Sequence, residues 1–420
     1  MTEFMRLGSR LGPGATYLLS RHAAATLVTL ASVPIVVAHV DAADFGRHVT
    51  ALAVMTWLVT MTAPSMAHGV AAAATRGQDG TLVAAVRYRA RLAVLATAVA
   101  LGAAYWVARK GDHVLAQLVL VSAGYLLFGA ATLTFRQYLI GKGAFRQLAP
   151  WDLAMGILPP VAMAVAALTT GSIVVVSVAT LGVQAVVAAA GYAWVLRTWG
   201  VRERFARGDI DREALRYGLR MVPLSGMSTL AGEGATVVVA YVLGFEALAV
   251  FAVADRLFSR ISRIAADVAR DTLRPQFAAR DTMRLAAGLR RSFRTIAVGL
   301  LGLGAVALVV GVVYLAVAMP SSYRGAVWLF AVMALGLPAR VFQAVLLLIP
   351  SVHLRAAEEG VPVIFTDVVR IVGAAAGGYW LGTTGVALAV VASAWAGAAA
   401  SWYVSARRHA HAKPAVSAVR

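Results

Sequence analysis

The feature that most limits what this chain can fold into is a succession of apolar runs, each bounded by charge or turn residues and each long enough to cross a bilayer. A spanning helix needs roughly 20 predominantly apolar residues to match a hydrocarbon core about 30 Å thick. Such runs lie near residues 16–40, 48–74, 90–108, 114–135, 149–169 and 172–196, then near 218–243, 245–270, 293–318, 325–350, 360–382 and 384–406. Twelve such helices absorb most of the 60% of the 420 residues that are hydrophobic, which leaves little for a soluble domain. The charged fraction, 14%, is far below the roughly 25% of soluble proteins. The first run follows Arg6 and Arg10 and precedes Ala42 and Ala43, as a signal peptide would, but it exceeds the roughly 7–15 residues of a signal core and reads as a retained helix. The expectation is an all-α integral membrane protein with twelve spans.

Charge orients the spans. With a cytoplasmic N-terminus, the external turns hold only Arg47, Arg109, Lys110 and Arg324, and Arg21, Arg136, Arg256, Arg340 and Arg370 fall within spans. The remaining 29 of the 38 Lys and Arg are then cytoplasmic, the asymmetry of positive-inside topology, and both termini are expected inside. The net charge of +19 thus becomes topological information, and a nucleic-acid partner is excluded because no basic surface domain remains to carry one.

An internal repeat divides the chain in two. Thr169-Thr170-Gly171 between the fifth and sixth spans recurs as Thr383-Thr384-Gly385 between the eleventh and twelfth, each preceded by an intramembrane acid, Asp152 and Asp367. Ala188-Ala189-Ala190 before Arg197 is echoed by Ala398-Ala399-Ala400 before Arg407, and Tyr17 to Arg21 by Tyr217 to Arg220. Six helices return the chain to its starting side, so the halves share one orientation. This is a parallel repeat of two six-helix lobes about a pseudo-twofold along the membrane normal, with a cavity expected between them. The expected divisions are residues 1–200 and 218–406 for the lobes, 201–217 for a basic cytoplasmic linker and 407–420 for a basic tail near anionic headgroups.

The seventh to eleventh spans carry the charges that require explanation. Arg256, Arg260, Arg263, Arg270 and Arg274 fall at offsets that place them within roughly 40° of one line on a helix, opposite Leu257, Phe258, Ile261, Ile264 and Val268. Arg270 and Arg274 read as snorkelling toward cytoplasmic phosphates. Arg256 lies near mid-bilayer, where an Arg costs about 2.5–3.5 kcal/mol even on the lenient insertion scale, so it is expected to face a hydrated cavity. Asp255 points about 100° away from Arg256 and is free to pair with another helix or to bind a proton or cation. Glu233, between Gly232 and Gly234, suits either proton exchange or a hydrogen bond across closely approaching or locally unwound helices. Asp367 and Arg370, at i,i+3, are expected to form a structural pair, and Arg136 with Asp152 an interfacial salt bridge. Arg340 follows Pro338 in the tenth span, Pro34 is expected to kink the first, and Trp57, Trp106, Trp151, Trp328 and Trp380 read as an aromatic belt.

Catalytic signatures are lacking. With no cysteine there is neither a disulfide framework nor a thiolate site, and His409 and His411 lack the spacing and companions of a metal centre, so no metal or cofactor is expected. Paired carboxylates, a nucleophile elbow and a phosphate-cradling glycine loop are also missing.

At this point the layout resembles the polysaccharide transporter branch of the multidrug/oligosaccharidyl-lipid/polysaccharide (MOP) exporter superfamily, the Wzx-type flippases. The resemblance rests on Asp44-Phe45-Gly46 after the first span, on Leu243-Gly244-Phe245 leading into Ala252-Val253-Ala254-Asp255-Arg256-Leu257, and on the basic stretch Leu273-Arg274-Pro275-Gln276-Phe277. It implies a V-shaped bundle in a bacterial cytoplasmic membrane, with an arginine-bearing cavity lined mainly by spans 1, 2, 7 and 8, which Arg21 and Arg256 match by helix and depth. The substrate it implies is a polyprenyl-pyrophosphate-linked oligosaccharide, with membrane lipids and glycan-assembly proteins as partners. Arg21, Arg256, Arg260, Arg263 and Arg340 are then the candidates for binding the anionic headgroup, with Glu233 and Asp255 for ion coupling. Two alternatives stand beside this reading: an ion-coupled antiporter of the multidrug-and-toxin-extrusion type, whose cationic substrates favour acid-rich cavities, and a membrane-embedded glycosyltransferase or polymerase, for which every external turn here is short.

Overall fold

The structure, a computed structural model, describes residues 13–278, 293–352 and 356–411, and the regular structure among them is entirely helical. In chain order the first half comprises α1 (Pro13–His39), α2 (Ala42–Met61), α3 (Met66–Thr75), α4 (Thr81–Arg109), α5 (His113–Tyr125), a π-helical turn (Leu126–Ala130), α6 (Thr134–Gly141), α7 (Phe145–Thr170) and α8 (Ile173–Thr198). Two short helices follow, α9 (Val201–Ala206) and α10 (Arg212–Arg220). The second half comprises α11 (Val222–Leu243), α12 (Phe245–Ala278), α13 (Phe293–Ala318), a 3₁₀ turn (Ser321–Tyr323), α14 (Gly325–Ala334), α15 (Leu337–Val352) and α16 (Ala356–His411).

Six segments are long and apolar enough to cross a membrane singly, and two bent pairs, α2 with α3 and Ser321–Ala334 with α15, pass when each is taken as one span. The long α16 holds two spans, because Gly382 (φ 62°, ψ −146°) breaks its helical path. With α1, α11 and α12 this makes an all-α, multi-pass integral membrane protein of twelve spans, six before and six after the α9–α10 segment.

Small residues inside and large ones outside mark the packing. In α4 the fully buried Ala93, Ala96, Ala100 and Ala104 form one helix face, whereas Leu95, Tyr105 and Trp106 are exposed. Apolar surface facing hydrocarbon costs nothing, so close approach of small residues, rather than burial of large ones, brings such helices together. Gly156 of α7 lies against Ala25 of α1 for the same reason.

The breaks have local causes. The second span bends by 52° where Ala63, held at φ 53° ahead of Pro64, cannot continue the helix. The tenth bends by 47° just before Pro338. In the repeated turn, Gly171 takes the left-handed cap (φ 63°) after α7. In the second half the helical path is broken instead at Gly382, also at positive φ, and Gly385 lies backbone to backbone against Gly377. Pro34 sits inside the continuous α1.

The chain divides into two compact units, one of Gly12–Ala240 with Gly244–Ala249 and one of Tyr241–Leu243 with the chain from Val250 onward. In the first, residues expected to form only a linker are folded onto the bundle. Asp211 caps α10 by accepting from the Ala214 N–H at 2.9 Å, Ser65 donates to the Gly218 carbonyl at 2.7 Å, and Gly69 and Gly218 meet the backbones of Ala214 and Met66. The seventh span, α11, also belongs mainly to this unit. Phe245 at the start of α12 does too: its backbone occupies the space a Cβ at Gly46 would need, and the Arg47 guanidinium lies 5.1 Å from its ring. The two stretches that resemble family junctions, Asp44-Phe45-Gly46 and Leu243-Gly244-Phe245, therefore touch.

Candidate functional site

In the second unit three spans bring four charged side chains of the membrane interior together. Asp255 stands ten residues into α12, about 15 Å along its axis. Arg340 belongs to α15, shortly after the bend of the tenth span, and Asp367 and Arg370 to the first half of α16. Arg370 Nη2 lies 3.6 Å from Asp255 Oδ1, with both side chains mostly buried. Arg340 interacts electrostatically with Arg370, Asp255 and Asp367, and among the described residues no carboxylate comes within ion-pair distance of it. Asp255 Oδ1, Arg340 Nε and Arg370 Nε are each shut off from solvent with no hydrogen-bond partner.

The sequence reading singled out each of these residues, but not their assembly. The ion pair resolved for Arg370 reaches across to α12, so the pairing drawn within one helix between Asp367 and Arg370 understates the site: helix packing brings Asp255 to the same guanidinium. Along α12, Arg256 and Arg260 are partly buried and Arg263 is exposed, and Arg260 and Arg263 are close enough to repel. The opposite side holds the buried Leu257 and Phe258, so the helix has the cationic stripe and apolar face that its spacing predicts. Arg21 lies in α1, but its side chain, like those of Arg270 and Arg274, is outside the described residues.

Glu233 is partly buried in α11 of the first unit. The helix runs unbroken from Val222 to Leu243, and a Cβ at Gly232 would meet no atom within 4 Å. Neither local unwinding nor close helix approach at Gly232 accounts for the glycine beside it. Arg136 and Asp152 form the expected ion pair at 2.5 Å.

Three polar centres of the first unit escaped the sequence reading. Arg89, buried in α4, donates from Nε to the Thr62 carbonyl at 3.1 Å and from Nη1 to Thr134 Oγ1 at 2.5 Å and the Ala131 carbonyl at 3.5 Å. These acceptors sit where the second and fourth spans break, and carbonyl groups at helix ends carry partial negative charge, so the guanidinium is compensated without a carboxylate. His48 Nδ1 and Ser177 Oγ, both buried, lie 2.7 Å apart between α2 and α8. Asp79, also buried, takes Lys142 at 2.6 Å and Arg204 of α9 as ion-pair partners. Among the described residues no cluster of three metal-ligating side chains occurs.

Residues 40–328, more than half of the chain, match the family described as polysaccharide biosynthesis protein. The chain belongs to that family. Among curated proteins none matches the sequence. Solved structures show where the family stands in fold. A multidrug resistance MATE transporter of the MOP superfamily, in an inward-facing conformation, aligns with TM-score 0.67 and 17% identity over 94% of this chain and 96% of its own. A MOP superfamily transporter from Pyrococcus furiosus aligns with TM-score 0.67 and 18% identity over 94% of each chain. A eukaryotic MATE transporter aligns with TM-score 0.68 and 11% identity over 96% of each. This polysaccharide biosynthesis protein thus has the fold of the MOP superfamily transporters.

Proposed function

We propose that the protein is a flippase that moves a polyprenyl-pyrophosphate-linked oligosaccharide from the cytoplasmic to the outer leaflet of a bacterial cytoplasmic membrane by alternating access. The observation that carries this reading is the placement of Arg340 and Arg370 together in the membrane interior, with Asp255 held only loosely, 3.6 Å from Arg370. An intramembrane guanidinium is costly unless it serves a purpose. Planar, permanently charged guanidinium groups bind phosphate oxygens by paired hydrogen bonds, which a pyrophosphate headgroup supplies in abundance. Arg256, Arg260 and Arg263 extend the positive surface along α12. The prenyl tail stays in lipid while the sugar crosses in a hydrated path.

The reaction has no chemical step, so its driving force is electrical and ionic. With the interior negative, moving two negative charges outward runs down the electrical gradient and releases about 4–5 kcal/mol per 100 mV. Glu233 or Asp255 would exchange a proton or cation as the empty carrier resets. The Pyrococcus furiosus relative is described as having a binding pocket of reversed polarity that suggests a different function, so the shared fold accommodates either sign of charge. On this reading both termini are cytoplasmic, and the expected partners are the lipid-linked glycan, membrane lipids and glycan-assembly proteins. Deletion should leave the lipid-linked glycan on the cytoplasmic leaflet, read by its protection from an external glycosidase. A glycan that still reaches the outer leaflet at the normal rate would contradict the reading.

A further inference from the structure

We infer that Asp255 is an internal competitor for the anionic headgroup: it occupies Arg370 in the substrate-free protein and yields it when a diphosphate binds Arg370 and Arg340. The inference rests on the flippase reading and adds to it how the empty site is stabilised and which groups the ligand must displace.

The ion pair is a loose one. At 3.6 Å, Asp255 Oδ1 and Arg370 Nη2 are beyond hydrogen-bond reach, although the side chains are only 20% and 13% exposed. Asp255 Oδ1 and Arg370 Nε have no hydrogen bond, and neither does Arg340 Nε nearby. Buried charged groups that serve only to hold a fold are normally hydrogen-bonded, because a half-satisfied network is less stable than an apolar core. Three unsatisfied charged atoms around one contact therefore mark an arrangement that neutralises charge without completing its bonding.

The donor count points the same way. Arg340 and Arg370 act on one another as like charges, and Asp255 and Asp367 offset them in charge. Asp255 comes within ion-pair distance of Arg370 and makes no hydrogen bond through Oδ1, whereas a diphosphate brings enough oxygens to bridge both guanidinium forks. The ligand can satisfy the donors that Asp255 leaves unfilled. Because Asp255 stands on α12, Arg340 on α15 and Arg370 on α16, the exchange trades a contact between helices for one through the ligand.

Inorganic pyrophosphate, titrated calorimetrically into the full-length protein in lipid nanodiscs, tests this with wild type, Asp255→Asn, Asp255→Ser, Arg340→Gln and Arg370→Gln, each checked for monodispersity. Removing the competitor should tighten binding about tenfold in both Asp255 variants, the scale of coupling between neighbouring charged groups, and either arginine variant should lose measurable binding. Unchanged or weaker affinity in whichever Asp255 variant folds, with binding still lost in the arginine variants, overturns the competition and leaves the flippase reading intact. Pyrophosphate binding that is absent throughout, or indifferent to Arg340 and Arg370, overturns the site itself. Tighter binding in the Asp255 variants of a protein that moves no lipid-linked glycan would uphold the competition and refute the substrate.

Discussion

Asp255 and Arg370, on helices α12 and α16, meet at 3.6 Å inside the membrane portion of the second unit, and this contact ties the eighth span to the eleventh. Removing one partner of such a pair leaves an uncompensated charge, whereas removing both does not. Arg370→Gln should therefore lower the thermal midpoint in detergent more than the double variant Asp255→Asn/Arg370→Gln. The coupling should fall at about 0.5–3 kcal/mol, the range for neighbouring groups in one network. Additive single effects would show that the pair contributes nothing.

Arg89 closes both broken spans of the first unit. Replacing it with Met leaves the Thr62 carbonyl without its donor and removes the bonds to Thr134 and Ala131. A loss of about 1.5–3 kcal/mol follows for a hydrogen bond made by a charged group, and Arg89→Lys should recover part of it. A midpoint in Arg89→Met equal to wild type would refute the stapling role.

Asp79 fastens the α9 segment. With its carboxylate gone, Arg204 keeps its weaker contact with the Gly77 carbonyl at 3.4 Å but loses its ion pair. In Asp79→Asn, trypsin should cut at Arg204 and Arg207 faster than in wild type, seen as two halves on a gel. Equal cleavage rates would mean that backbone packing of Gly80 against Phe205 and Asp209 holds the segment without the ion pair.

Gly46 and Gly102 form an internal control. A side chain at Gly46 would strike the Phe245 backbone, whereas one at Gly102 would meet nothing within 4 Å. Gly46→Val should abolish folded, monodisperse protein, and Gly102→Val should leave its yield unchanged. Equal yields would refute the close approach of α2 to the start of α12.

The helical inventory was legible because span length is dictated by the bilayer, and the apolar runs near 149–169, 172–196 and 293–318 become α7, α8 and α13 with small shifts at their ends. The start of α4 was not legible. The apolar run starts near residue 90, after Arg87 and Arg89, whereas the helix begins at Thr81, and only the carbonyls freed by breaks in two other spans make a buried Arg89 tolerable. The bends at Ala63 and at Leu335–Gly336 carried a local signal in Pro64 and Pro338, but proline occurs inside continuous helices too, as Pro34 of α1 shows. For the site, single-helix geometry correctly separated Arg256 from Asp255 and correctly set the stripe against Leu257 and Phe258. It could not bring Asp255 to Arg370, because that contact depends on how α12 and α16 pack.

The central claim is that the intramembrane arginines carry an anionic, lipid-linked glycan across the bilayer. The most direct measurement is the rate at which proteoliposomes bearing the purified protein translocate a fluorescent polyprenyl-pyrophosphate oligosaccharide, comparing wild type with Arg256→Gln, Arg340→Gln and Arg370→Gln at matched folded protein. Wild type should translocate rapidly, speeded by an inside-negative potential, and each variant should lose at least about tenfold, the scale of one charge-assisted contact. Wild-type rates in all three variants, or transport of a cationic dye in place of the glycan, would contradict that claim.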